Sequence, residues 1–83
     1  PYYLDSLAWL YFERKDYLTA LQYADIPSRL EQIPAEIAYH IARIYIALDR
    51  YKEAVPFLKA GAAADDDPHY VKECQTLLQQ FTP

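Results

Sequence analysis

Two histidines, one cysteine and a run of three aspartates are the residues with which this chain could do chemistry. Asp65-Asp66-Asp67 offers oxygen to a hard cation. A calcium loop, however, spaces its ligands and turns on a glycine, and neither feature is present. The run stands directly before Pro68. An aspartate at that place starts a helix, because its carboxylate accepts from a free backbone N–H and suits the positive end of the helix dipole. Cys74 as a nucleophile would need a nearby base, and only His40 and His69 exist. No carboxylate or hydroxyl stands in a recognisable relation to either histidine, so both read as surface or groove side chains rather than acid–base groups. A single glycine excludes a phosphate-cradling loop. These residues predict no catalytic centre, no cofactor and no metal site.

The elements that must position these side chains belong to one small domain. The chain has 83 residues, of which 53% are hydrophobic and 24% charged, a globular rather than a disordered composition. The formal net charge of −4 argues against nucleic acid and anionic membranes as partners, since both are bound through cationic contacts. No apolar run approaches the roughly 18 residues of a membrane span, and no basic-then-apolar segment reads as a secretory leader. One cysteine cannot form an internal disulfide, which is compatible with a reducing cytoplasm without assigning a compartment. The chain opens at Pro1 and contains no methionine, as expected for a piece of a longer protein.

Sliding the chain against itself gives coincidences at a shift of 34 residues. Ala8 meets Ala42, Tyr11 meets Tyr45, Tyr17 meets Tyr51, Ala20 meets Ala54 and Pro34 meets Pro68, while Leu7 and Leu10 meet Ile41 and Ile44. A period of this length marks stacked supersecondary units. In the first unit Leu4, Leu7, Ala8 and Tyr11 follow helical spacing, Glu13–Asp16 is a polar break, and Tyr17, Ala20, Leu21 and Ala24 resume the pattern. The second unit repeats this through Ile37, Ile41, Ala42, Ile44 and Tyr45, a break at Asp49-Arg50, then Tyr51, Ala54, Val55 and Leu58. Small residues at Ala8 and Ala20 suit a close helix crossing, with Tyr11 and Tyr17 filling the wedge beside it. Pro27 predicts that its helix ends or kinks near Asp25, followed by a short turn over Ser28–Gln32. Pro56 falls near a helix start and predicts a mild kink there. Asp67-Pro68 opens a last helix with Val71, Cys74, Leu77, Leu78 and Phe81 on one side.

These residues resemble the tetratricopeptide (TPR) family of 34-residue helix–turn–helix units. The matching positions are Leu4, Leu7, Ala8, Tyr11, Tyr17 and Ala20 in one unit, and Ala38, Ile41, Ala42, Tyr45, Tyr51 and Ala54 in the next. The resemblance implies an all-α, five-helix superhelical solenoid: unit one at 1–34, unit two at 35–68 and a capping helix at 69–83. Lys15 and Asp49 stand where the family's turn glycine is usual, and Pro27 stands where a small residue is expected.

In such a stack the first helix of each unit lines a concave face. Helical spacing places Tyr2, Asp5, Ser6, Trp9, Phe12 and Glu13 there from unit one, Glu36, Tyr39, His40, Arg43 and Ile46 from unit two, and Tyr70, Glu73 and Leu77 from the last helix. The residues expected to touch a partner are Asp5, Trp9, Phe12, Tyr39, His40, Arg43, Ile46, Tyr70 and Glu73. Trp9 and Arg43 are equivalent in the repeat, and their spacing suggests a cation–π pair. The resemblance implies a non-catalytic module that binds a protein or peptide in this groove. The second reading is a scaffold or self-association segment, with a second copy or flanking repeats covering the open edge at Tyr3 and Leu10. The positively charged clamp with which some TPR domains hold acidic chaperone tails is absent, since its positions carry Asp5, Trp9, His40, Tyr70 and Cys74. Gly61-Ala62-Ala63, Asp67-Pro68 and Glu73-Cys74 are loosely similar to the small chaperones of bacterial type III secretion.

Overall fold

Residues 2–81 are described by the structure, a computed structural model. Five α-helices follow one another: α1 (Tyr2–Glu13), α2 (Tyr17–Ala24), α3 (Ala35–Ala47), α4 (Tyr51–Ala62) and α5 (Pro68–Phe81), with one 3-10 turn at Pro27–Arg29 between α2 and α3. The described residues contain no strand.

Both helical hairpins turn in the same way. At the first, the N–H of Asp16 reaches back to the carbonyl of Tyr11 at 2.9 Å; at the second, the N–H of Arg50 reaches the carbonyl of Tyr45 at the same distance. This six-to-one bond closes a helix through a residue in the left-handed region. That residue is Lys15 (φ 64°) in one turn and Asp49 (φ 58°) in the other, both of them strained relative to glycine. Asp16 then caps α2, its carboxylate accepting from the N–H of Thr19. Arg50 at the equivalent place offers no such acceptor and pairs with Glu53 instead.

Prolines mark the remaining boundaries, with two differences from the sequence expectation. The turn after α2 is shorter and earlier than Ser28–Gln32: it begins at Pro27, because that ring occupies the first 3-10 position, where no N–H is needed. Pro56 is the sixth residue of α4, beyond the four N-terminal residues whose N–H groups are free in any helix, and the helix runs through it. The bond it removes belongs to the carbonyl of Lys52; both residues are exposed, so water replaces the lost donor.

The core has two parts joined by α3. Ala8, Ala20 and Ala24 of the first hairpin receive Ile37, Ile41 and Ile44 of α3. The alanines let the hairpin close while leaving room for the isoleucines, and each isoleucine fully buried contributes about 1.5–3 kcal/mol. Ala42, Ala54 and Leu58 form the second part, closed by Ile46, Leu77, Leu78 and Phe81. The apolar stripe of α5 thus covers the outer side of the second hairpin. Helix α3 is central: it meets α1, α2, α4 and α5, and seven of its residues are buried.

Candidate functional site

The face shared by α1, α3 and α5 carries a run of aromatic rings. Tyr17 lies 5.5 Å from Phe12, Phe12 stacks on Trp9 at 4.5 Å, and Trp9 stacks on His40 at 4.1 Å. Tyr70 follows in a T-shaped arrangement 6.0 Å from His40, and Tyr39 stands 6.2 Å from Trp9 and 5.5 Å from Tyr70. Phe12 and Trp9 meet because they are three apart on one helix; Trp9 and His40 meet because the alanine–isoleucine interface brings α1 against α3.

Beneath the rings lies a buried hydrogen-bonded pair. Both carboxylate oxygens of Asp5 are 2.9 Å from Nδ1 of His40, and each residue is only 5% exposed. Nδ1 therefore carries a proton, shared between the two oxygens. This corrects the expectation that neither histidine has a carboxylate partner. It also removes Asp5 and His40 from the surface a partner would touch and makes them the floor of the face. Glu36, one turn before His40 on α3, brings its carboxylate into the same group: one ligating atom from each of Asp5, Glu36 and His40 lies within 4.8 Å of the others. Helical spacing puts Glu36 on the inward face; its meeting with Asp5 and His40 follows from the packing of α1 on α3, which spacing does not show. Burial first, then the carboxylates of Glu36 and Asp67, Tyr39 and finally Asp5, push the Tyr70 phenol above its ordinary value, so its hydroxyl is neutral at physiological pH.

Arg43 is fixed rather than free. Its Nη1 donates to the Tyr39 hydroxyl at 2.7 Å, and its guanidinium lies 5.6 Å from the ring centres of Phe12 and Tyr39. The expected Trp9–Arg43 stack is not formed, because His40 and Phe12 already pack on the indole. Ile46 is turned away into the core around Ala42, Ala54 and Leu58. Glu73 is half-buried on α5 and joins neither the ring run nor the Asp5–Glu36–His40 group. The structure therefore gathers Trp9, Phe12, Tyr39, Arg43 and Tyr70 over Asp5 and His40, and leaves Ile46 and Glu73 outside.

Asp66, Asp67 and Cys74 have structural partners. The carboxylate of Asp66 accepts from the N–H of Ala35 at 3.2 and 3.3 Å, capping α3 from a distant loop. Asp67 accepts from the N–H of His69 at 3.0 Å and starts α5. Pro34 precedes α3 and has no side-chain acceptor of its own, so Asp66 fills that role. Cys74 is fully buried, and burial, with a smaller contribution from Glu73, pushes its thiol up to about 11. A thiol of that kind is not a nucleophile at neutral pH. It packs on Gly61, where a Cβ would collide with Cys74 Sγ and stand 3.2 Å from Ala38 Cβ. A cleft of about 420 Å³ opens between Ile33-Pro34 and Ala60–Asp66, away from the residues of the ring run.

Among known proteins, no family model, no curated protein and no solved structure matches the chain.

Proposed function

We propose that this chain is a TPR-like helical-repeat module that binds a protein segment across the face of α1, α3 and α5, without catalysis. The observation that carries this reading is the half-exposed aromatic run, with Arg43 held at its side by Tyr39. Aromatic and arginine side chains dominate binding energy at protein interfaces. Rings already packed on one another lose little further freedom on binding. In this reading Trp9, Phe12, Tyr39 and Tyr70 supply apolar burial at about 25 cal/mol per Å², and Arg43 orients a carboxylate or carbonyl of the partner. The buried Asp5–His40 pair beneath them bridges α1 and α3 and backs the rings. The experiment is affinity capture from the source organism with the wild-type chain and with Trp9→Ala, Arg43→Glu, both checked for helicity. A protein held by the first and lost by the second supports the reading; equal capture by both removes it.

A second reading, a self-associating or scaffold segment, is favoured by a different observation. Tyr3, Leu10 and Leu18 on the first hairpin are 75%, 41% and 68% exposed. A mass that rises with concentration in sedimentation and is lost in Leu10→Glu would support it.

A further inference from the structure

We propose that Asp5, Glu36 and His40 form a binding site for a divalent transition-metal ion of the zinc class, tying α1 to α3. This goes beyond the partner-binding reading and stands independently of it. The three side chains place one carboxylate oxygen each from Asp5 and Glu36 and one ring nitrogen of His40 within 4.8 Å of one another. Two of the three are nine-tenths buried. Glu36 and His40 are four residues apart on α3 and share a helix face, while Asp5 approaches from α1. Neither carboxylate pairs with a lysine or arginine among the described residues, and the Glu36 side chain makes no hydrogen bond there. Two carboxylates and one imidazole in a half-buried place are best neutralised by a doubly charged cation.

The donor set selects the metal. Calcium and magnesium take six or more oxygens and little nitrogen. Zinc accepts three donors drawn from histidine and carboxylate, with water in the fourth position. Two donors on a tetrahedral zinc stand about 3.3 Å apart at bond lengths of about 2.0–2.1 Å, so the 2.9 Å pair of Asp5 and His40 opens by a few tenths of an ångström. The half-exposed Glu36 side chain closes the remaining gap by rotation. The metal takes the place of the proton that His40 now shares with Asp5, and that proton leaves to solvent. Trp9 stacked at 4.1 Å and Tyr70 in a T-shaped arrangement at 6.0 Å hold the imidazole in plane, the role outer groups play around metal ligands.

The test is titration of the purified chain with Zn²⁺ and Co²⁺, followed by thermal unfolding and by the visible absorption of cobalt. The expected result is a rise in Tm that saturates at one equivalent, with the intense d–d bands of four-coordinate cobalt. Glu36→Gln removes a ligand that holds nothing else in the fold, and is expected to weaken binding at least tenfold. His40→Gln is expected to abolish the bands. His69→Gln, outside the cluster, is expected to change nothing. No Tm shift and no cobalt bands would show a structural Asp5–His40 pair only and overturn the proposal. Equal affinity in the wild type and Glu36→Gln would mean an adventitious ion only and overturn it as well.

Discussion

The two hairpins are built on one pattern and buried to different depths. Tyr11 stacks on Tyr23 at 5.4 Å in the first, and at a shift of 34 residues Tyr45 stacks on Phe57 at 5.8 Å in the second. The turns use the same backbone bond, and Ala8, Ala20, Ala42 and Ala54 occupy the same crossings. Yet Ile37 and Ile44 are fully buried, while their equivalents Tyr3 and Leu10 are 75% and 41% exposed. The side chains at these positions are large and apolar in both hairpins, so the difference lies in the neighbours. Helix α3 has the first hairpin on one side and α5 on another; beyond its own partner α2 and the 3-10 turn, α1 meets α3 alone among the described helices. Burial here belongs to the contacts between the hairpins and α5 rather than to either hairpin's own pattern.

Four tests break or sharpen this contrast. The largest effect is expected at the matched pair Ile44→Ala and Leu10→Ala. Ile44→Ala empties a packed site and should cost about 2–5 kcal/mol, while Leu10→Ala should stay within about 0.5 kcal/mol. Urea unfolding of the two variants measures the difference, and similar losses would place Leu10 in a covered interface.

Next comes the pair at one repeat position, Pro27 and Gly61. In the first hairpin α2 stops at Ala24 and the proline opens the 3-10 turn beyond it; in the second, α4 continues through a glycine that lets it touch α5. Gly61→Ala should destabilise by about 1–3 kcal/mol through overpacking, although alanine is the better helix former by about 1 kcal/mol. Adding Cys74→Ala to it should recover most of that loss, read from the unfolding midpoints. A smaller effect is expected at the helix starts. Asp66→Ala uncaps α3 and should cost about 1 kcal/mol, seen as faster amide exchange in the first turn of α3. The smallest is at the turns. Lys15→Gly should stabilise by about 0.5–1 kcal/mol by relieving a left-handed residue. Asp49→Gly should gain less, because aspartate tolerates that region and its carboxylate accepts from the Tyr51 hydroxyl at 2.7 Å.

Much of the fold was legible because it follows from local rules. The shift of 34 residues, the alanine crossings, the break at Pro27 and the start of α5 at Asp67-Pro68 each depend on a few neighbouring residues. The site was legible as a list of inward positions and not as a set of contacts. Asp5 and His40 are 35 residues apart, one position off the repeat, and their meeting depends on how far α1 is rotated against α3. That rotation is set by Ala8, Ala20 and Ala24 packing on the α3 isoleucines, which periodicity does not resolve. The same rotation gives the Trp9 indole to His40 and leaves Arg43 to Phe12 and Tyr39. Ile46 was assigned to the groove because helical spacing allows a broad inward arc; the α5 stripe claims it for the core. Asp67 reads as the cap of the last helix from its residue type, whereas its neighbour Asp66 caps a helix that begins 31 residues earlier.

The central claim is that the aromatic face, rather than the exposed edge of the first hairpin, meets the partner. The most direct test is the affinity of the captured partner segment, by calorimetry, for the wild type, Trp9→Ala, Arg43→Glu and Leu10→Glu. A partner seated on the aromatic face predicts binding weakened at least tenfold in the Trp9/Arg43 variant and unchanged in Leu10→Glu. Loss in Leu10→Glu with full binding by the Trp9/Arg43 variant would contradict it.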